Sequence, residues 1–339
     1  MVAGGTGGHI YPALALAREL VDKGVQVLWV GRPDGQEREI ALQTGFEFYT
    51  IMASGFFSKR VLGKVVSIIR LLGGFSQSWR LLNRLQPDGI IAAGGFVSAA
   101  VVLAAWVQGR RFFLLEQNRI PGRVVRFFAP YAVESFLTFP PEVSFPGRYS
   151  VTGSPLRADI VVTRRADDGK TVLVLGGSQG ARALNLAALD MAAALTNLRF
   201  IILTGKRDYQ MIRALVRSAN CELVESTAHP EELYRQATIA VSRAGGMVLS
   251  ELLALGIPSI LVPFPYAVDR HQEVNARYVA SMGAALVLEE NRLSGLVSLV
   301  RTLMADESKR REMERNARAL AKPYAGRDIA ERIGQCLAD

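Results

Sequence analysis

Only three histidines occur among the 339 residues, and the first, His9, directly follows the run Gly4-Gly5-Thr6-Gly7-Gly8. A glycine loop at the carboxyl end of a strand lets backbone N–H groups approach a ligand, and the helix that follows points its positive end at the same place. Pro12 suits the first turn of such a helix. His9 is therefore expected at a helix start beside an anion site, where an imidazole suits proton transfer near neutrality. The ordinary alternative is a histidine that caps the helix or bonds a phosphate. Three further glycine junctions follow: Gly94-Gly95, Gly176-Gly177-Ser178-Gln179-Gly180 and Gly245-Gly246. One such loop is equally well a tight turn, but four spread over both halves favour a ligand cleft shared by two domains. None fits the GxxxxGK[ST] pattern, which disfavours ATP or GTP hydrolysis.

Other polar residues collect at the same kind of place. Ser242-Arg243-Ala244-Gly245-Gly246 leads into a helix in which Glu251 lies more than one turn from the start. A carboxylate there can accept both hydroxyls of a ribose seated on the helix N-terminus; the alternative is a solvated helix glutamate. Past the apolar run Ile257–Val262 and Pro263-Phe264-Pro265 comes the cluster Asp269-Arg270-His271-Gln272-Glu273-Val274-Asn275. The amides of Gln272 and Asn275 suit sugar hydroxyls, since each offers a donor and an acceptor; the alternative is a solvated helix start. Glu116-Gln117-Asn118 follow the apolar run Phe112–Leu115 and are expected to face the cleft from the first domain, and Arg157 could meet a phosphate from the linker; either could instead be structural. No Asp-x-Asp triplet occurs. No metal or other cofactor is expected, because glycine loops and helix ends could neutralise a leaving diphosphate.

Those residues need strands that end beside helices. Val25–Val30, Gly89–Ala93, Phe112–Leu115, Thr171–Leu175, Phe200–Leu203, Ile239–Ser242 and Ile257–Val262 read as buried strands. Helix-length segments with apolar spacing of three and four lie between them, such as Ala13, Leu16, Ala17, Leu20 and Val21. This alternation predicts an α/β chain of two doubly wound, Rossmann-like parallel-sheet domains. Each opens with strand, glycine loop and helix. Pro140, Pro141, Pro146, Gly147, Gly153 and Pro155 mark a linker. The expected domains are 1–151 and 152–323, with a C-terminal helix in 324–339 returning to the first. Only Met1-Val2-Ala3 precede the first glycine loop, short for a central strand.

The net charge of +9 is localised. Residues 56–127 hold eleven lysines and arginines against Asp88 and Glu116, so the rest of the chain is neutral. A local excess means a local anionic partner, either nucleic acid or an anionic membrane surface. The stretch from Phe56-Phe57-Ser58-Lys59-Arg60 to Leu82 mixes Lys64, Arg70 and Arg80 with Ile68, Ile69 and Trp79. That mixture suits the interface of an anionic bilayer better than nucleic acid; an amphipathic core helix is the alternative. The start does not resemble a signal peptide, and no apolar run reaches the roughly 18–20 residues of a membrane span. Peripheral attachment at a cytoplasmic face is the expectation. Cys221 and Cys336 lie far apart without CxxC spacing, which disfavours a disulfide scaffold or a zinc cluster.

The stretches GGTGGHIYPALALA (4–17), GGFVS (94–98), EQNRIPG (116–122), TGSPLR (152–157), VLVLGGSQGARALN (172–185), SRAGG with SELLALGIPSILVPFP (242–265) and DRHQEVNA (269–276) together resemble one family. It is the MurG family of bacterial GT-B glycosyltransferases, which add N-acetylglucosamine to undecaprenyl-diphospho-N-acetylmuramoyl-pentapeptide. The resemblance spans nearly the whole chain in the family's order. It implies a GT-B fold with two domains facing across a cleft, the first taking the lipid acceptor and the second UDP-N-acetylglucosamine. On the donor side it implies Thr6, Gly7, Gly8, Arg157, Ser178, Gly246, Met247, Glu251, His271 and Gln272. On the acceptor side it implies Asn118, Gly94 and Gly95, with His9 as the base that takes the proton of the acceptor 4-hydroxyl during an inverting, β-1,4-forming transfer. It also implies a role in peptidoglycan synthesis, hence in cell shape and division, at the inner membrane, with other cell-wall synthesis proteins as possible partners. Ser154 replaces the family's usual asparagine, and Val248 stands where a phosphate-contacting hydroxyl residue is common.

Rival readings are transfer of a hexose from a UDP-sugar to diacylglycerol, a UDP-N-acetylglucosamine 2-epimerase-like isomerase, and a nicotinamide-dependent oxidoreductase. The last expects an acidic residue after the second strand, where this chain has Gly31-Arg32.

Overall fold

The strands and helices segregate into two units, Met1–Arg157 with Pro323–Asp339, and Ala158–Lys322. The computed structural model describes residues 1–52, 61–177 and 180–338, without the side chains of 61–70. Phe56, Phe57, Lys59, Arg60 and Ser178 lie outside the described residues, as do the side chains of Lys64, Ile68 and Ile69.

In the first unit the strands are β1 (Leu28–Gly31), β2 (Glu47–Thr50), β3 (Ile90–Ala92), β4 (Phe112–Glu116), β5 (Glu134–Leu137) and β6 (Tyr149–Val151). All pairings are parallel, β1 with β2 and then β3-β4-β5-β6. A single residue joins the two groups: Val2 bridges Val30 on one side and Ala92 on the other. Its N–H donates to Ile91 at 2.8 Å and its carbonyl accepts from Ala93 at 2.9 Å. The order is thus β2-β1-Val2-β3-β4-β5-β6, and the three residues before the glycine loop do occupy the central position.

Alternation along the strands divides the core between two faces. Phe113 and Leu115 pack with Ile10, Ala13 and Leu16 of the helix Gly7–Asp22 and with Ile329 and Ile333 of the terminal helix Ala325–Ala338. Phe112 and Leu114 pack with Val97, Val101 and Ala105 of the helix Phe96–Val107. The terminal helix is also tied to the sheet by charge. Arg332 Nε donates to both oxygens of the fully buried Glu134 on β5, at 2.8 and 2.7 Å.

The second unit contains β7 (Thr171–Leu175), β8 (Arg199–Leu203), β9 (Cys221–Val224), β10 (Ile239–Ser242), β11 (Ser259–Leu261) and β12 (Ala285–Val287), ordered β12-β11-β10-β7-β8-β9, all parallel. Both units follow the doubly wound plan, in which the chain works outward one way from its first strand and then returns to work outward the other way.

Several sequence expectations need correction. The strand expected at Val25 begins at Leu28, because Val25 N–H donates to Leu20 O at 3.0 Å and is spent on closing the preceding helix. The supposed linker contains β6, which continues the sheet beside β5. The unit boundary falls after Arg157 instead of after 151, since the N–H groups of Thr152 and Gly153 still donate to Leu137 O. The last helix, Ala325–Ala338, falls within the expected 324–339.

Candidate functional site

In an open doubly wound sheet, ligands bind outside the carboxyl ends of the strands, where the order reverses. The first unit reverses between Val2 and β3, the second between β7 and β10. The four glycine junctions are the loops that leave these four strand positions.

At the first reversal, Gly95 is held close to the glycine loop. A Cβ there would lie 2.3 Å from Gly4 O, and its φ is +82°. This glycine serves the fold, because any side chain would drive the two loops apart. Beside it, a Cβ on Gly94 would meet His9 Nδ1 at 2.8 Å, so the imidazole lies against bare backbone. His9 is the third residue of the helix Gly7–Asp22 and is partly exposed. Its Nδ1 is 3.0 Å from Gln117 Oε1, and Gln117 is only 4% exposed. Thr6, Gly7 and Gly8, expected on the donor side, start the same helix in the first unit, with Thr6 O accepting from the His9 N–H at 3.0 Å.

The run Glu116-Gln117-Asn118 divides its labour, contrary to the expectation that all three face the ligand. Glu116 is buried and turned back on its own loop, accepting from the N–H of Asn118 at 2.9 Å, from Asn118 Nδ2 at 3.2 Å and from the N–H of Gly122 at 2.7 Å. Burial raises its pKa above the usual carboxylate range, opposed by these donors and by the nearby charge of His9. Asn118 remains partly exposed on that loop.

At the second reversal, the helix Gly246–Leu255 starts after Gly245. Gly245 has an ordinary φ of −71°, and a Cβ built on it meets nothing within 4 Å. The fold does not require glycine there, unlike at Gly95, and the open space lies at a helix N-terminus. Met247 is buried at the first turn, and Glu251 is 8% exposed, which removes the solvated alternative. Tyr234, on the helix Pro230–Gln236, donates its hydroxyl to Glu251 Oε2 at 2.6 Å.

The loops after β10 and β11 are bound together around this turn. The Arg243 guanidinium donates to Val262 O at 3.1 Å and to Pro263 O at 3.3 Å, pairs with Glu290, and lies over the Phe264 ring. Gln272 accepts the Phe264 N–H at 3.0 Å through its amide oxygen. Asn275, expected to meet sugar hydroxyls, is instead fully buried and donates to Ala244 O at 3.1 Å. It is an anchor for the turn. His271 starts the helix His271–Ser281 with its Nδ1 2.8 Å from Val268 O. The two residues before it, Asp269 and Arg270, have φ of 51° and 54°. Such left-handed non-glycine positions typically store about 1–3 kcal/mol each and cluster at ligand clamps. Arg157 is the last residue of the first unit and is partly exposed. Trp79 is partly buried against Phe75, with ring centres 5.8 Å apart.

Sequence reading missed the partner of each key side chain. Nothing local marks Tyr234 as the partner of Glu251, or Gln117 as that of His9. Arg243 stands inside a recognised motif, but its role as a clasp between two loops depends on Val262 and Pro263 reaching it.

The glycosyltransferase family 28 N-terminal domain matches residues 1–136 and the family 28 C-terminal domain matches 171–333. A UDP-N-acetylglucosamine–N-acetylmuramyl-(pentapeptide) pyrophosphoryl-undecaprenol N-acetylglucosamine transferase of Halothermothrix orenii is 36% identical over 95% of this chain and 94% of its own length. The enzyme of the same name from Moorella thermoacetica is 36% identical over 96% and 95%. The crystal structure of Acinetobacter baumannii MurG superposes with a TM-score of 0.81 at 28% identity, covering 99% of this chain and 98% of that one.

Proposed function

This chain belongs to glycosyltransferase family 28, within the group of N-acetylglucosamine transferases that includes MurG, and from that membership we propose the reaction it catalyses. It moves N-acetylglucosamine from UDP-N-acetylglucosamine to the 4-hydroxyl of N-acetylmuramic acid in undecaprenyl-diphospho-N-acetylmuramoyl-pentapeptide. The observation that carries this reading is the match of both halves, in order and nearly end to end, to transferases named for that reaction.

The second unit takes the donor. Glu251 holds the ribose hydroxyls, with one carboxylate oxygen already engaged by Tyr234. The diphosphate lies on the open turn at Gly245-Gly246, where the positive end of a helix and free approach to backbone N–H groups meet. Ser178 approaches the diphosphate; Gly176 and Gly177 before it follow β7, the strand beside β10. His271 and Gln272 serve the sugar. Arg157 serves the diphosphate. These groups stabilise UDP as it leaves, with no metal or other cofactor in the scheme.

The first unit takes the acceptor, with Asn118 and the Gly94-Gly95 turn beside His9. His9 removes the proton of the 4-hydroxyl as that oxygen forms its bond to donor C1. The bond from C1 to the β-phosphate oxygen breaks on the opposite face and its electron pair leaves with UDP. The anomeric centre is inverted, giving the β-1,4 linkage, and His9 then returns its proton to water.

No helix among the described residues is long and apolar enough to cross a membrane. The lipid-linked acceptor is reached from an anionic bilayer surface. Trp106, Phe127 and Tyr131 support that reading: they are 37%, 61% and 51% exposed, and the Trp106 and Tyr131 rings lie 4.7 Å apart. Arg123 and Arg126 are exposed on the same short helix as Phe127. Aromatic rings flanked by arginine suit a bilayer interface.

The test is incubation with radiolabelled UDP-N-acetylglucosamine and the lipid-linked muramoyl acceptor. Label is expected in the lipid fraction. Label that stays in the aqueous phase, or that enters lipid only when diacylglycerol is supplied, would overturn the assignment. Pelleting with vesicles of anionic phospholipid should fall as salt is raised.

A further inference from the structure

We propose that Gln117 is the positioning residue for His9: its amide oxygen accepts the Nδ1 proton, which locks the ring in one tautomer and leaves Nε2 as the atom that takes the acceptor's proton. The inference rests on reading His9 as the base and adds how that base is prepared.

The geometry points to a dedicated partner. Gln117 Oε1 lies 3.0 Å from His9 Nδ1, across 108 residues of sequence. Gln117 is 4% exposed and directly follows β4, all five of whose residues are buried. The loop beyond it is closed by Glu116, which gathers N–H groups from Asn118 and Gly122. The amide is therefore carried on a fixed backbone. On another side the ring abuts Gly94, where even a methyl group would come within 2.9 Å of Cε1. A ring walled by backbone and held at Nδ1 has little freedom to turn over.

The choice of an amide has a chemical consequence. A neutral imidazole carries one N–H, and whichever nitrogen donates, the other is the base. An acceptor at Nδ1 therefore selects Nε2. A carboxylate would select it too, but would add a full negative charge that favours the imidazolium. Glu116, the neighbouring carboxyl, is turned onto the N–H groups of Asn118 and Gly122. Residues 92–98, which include Gly94, contain no titratable side chain. Gln117 thus orients the ring without adding charge beside it.

The test compares Gln117→Leu, Gln117→Glu and His9→Ala in the full-length protein. The three histidines make the ¹⁵N NMR signals of the imidazoles assignable, with His9→Ala marking which set belongs to His9. The wild type is expected to show His9 protonated at Nδ1 and bare at Nε2 when neutral. In Gln117→Leu that preference should be lost and kcat should fall roughly 10–100-fold, as for other orienting partners, with KM for UDP-N-acetylglucosamine within about 2-fold of wild type. In Gln117→Glu most of kcat should survive at high pH, and the acidic limb of the kcat/KM profile should move to higher pH by roughly one unit or more. A variant that merely loosens the fold would lower the thermal midpoint without moving that limb. His9 protonated at Nε2 in the wild type, or an unmoved limb in Gln117→Glu, would overturn the inference even if Gln117→Leu fails to fold. If His9→Ala itself keeps kcat within a few-fold, the base reading fails first. If His9→Ala is inactive while both Gln117 variants behave as wild type, only the positioning role fails.

Discussion

At the reversal of the first sheet, between Val2 and β3, the side chain suited to chemistry is a partly exposed imidazole held by a neutral amide. At the reversal of the second, between β7 and β10, it is a nearly buried carboxylate held by a phenol. The parallel pairing, the reversal of strand order beside the first strand and the strand–glycine–helix junction are common to both, and the first sheet carries one further strand, β6, at its edge. What differs is the partner that each polar side chain was given and the room around its glycines. A ring that must exchange a proton needs one nitrogen fixed and the other open. A carboxylate that must grip two hydroxyls needs a fixed orientation and little competing water. The doubly wound plan supplies the address, and the partner decides what the side chain there can do.

If that contrast is right, damage at the two places should separate into turnover and binding. The largest expected effect is on turnover. His9→Ala should lower kcat by roughly 10²–10⁴-fold while leaving UDP affinity, measured by calorimetry, unchanged. Comparable losses of UDP affinity would collapse the distinction. Glu251→Ala should act the other way. Charge-assisted hydrogen bonds are worth about 1.5–3 kcal/mol, so UDP affinity should drop roughly 10–150-fold, and the variant also removes the carboxylate to which Tyr234 donates.

Gly245→Ala asks whether the open turn is kept for a ligand. Its φ is compatible with alanine and nothing obstructs a Cβ. The thermal midpoint should change little, since the gain of about 0.4–1 kcal/mol for Gly→Ala at an unstrained site is offset by alanine being a poorer N-cap than glycine, while KM for UDP-N-acetylglucosamine should increase. A clear loss of stability would show that the turn serves the fold, as Gly95 does. Tyr234→Phe is a milder probe of the carboxylate's support. It should cost about 1 kcal/mol of stability and raise the donor KM a few-fold with kcat nearly intact.

The smallest effect concerns the scaffold beneath His9. Burial raises the Glu116 pKa in the folded protein. A raised carboxyl pKa means that the folded state binds the proton more readily than the unfolded state. This contribution to stability is fully present below the unfolded value near 4.5 and is lost as pH rises through the folded value. Thermal midpoints of wild type and Glu116→Gln, followed upward from pH 4, should therefore differ in slope over that window. Parallel curves would mean that the carboxyl titrates as if exposed.

Much of this was legible in the order of residues. The apolar runs at Thr171–Leu175 and Ile239–Ser242 read as strands because both faces of a central parallel strand are buried, and the strands have those bounds. Edge and interrupted strands did not read that way. Glu47–Thr50 is half solvated, and Glu134–Leu137 opens with a buried glutamate, whose carboxylate Arg332 and Ser150 meet, and a buried serine. Asn275 looked like a ligand residue because an amide near a strand end can bind sugar, and its type says nothing of the Ala244 carbonyl that takes it.

The amino-acid sequence alone determined the class of fold, the four glycine junctions at strand ends, and His9 and Glu251 as the residues to watch. Those depend on periodicity, glycine placement and side-chain chemistry within a few neighbouring positions. Only the tertiary structure decided that Gln117 faces His9 while Glu116 turns away, that Tyr234 holds Glu251, and that Gly95 is needed by the fold while Gly245 is not. Each of those outcomes depends on which distant segments the sheets bring within hydrogen-bond or van der Waals distance, and such proximity is a property of the packed chain as a whole.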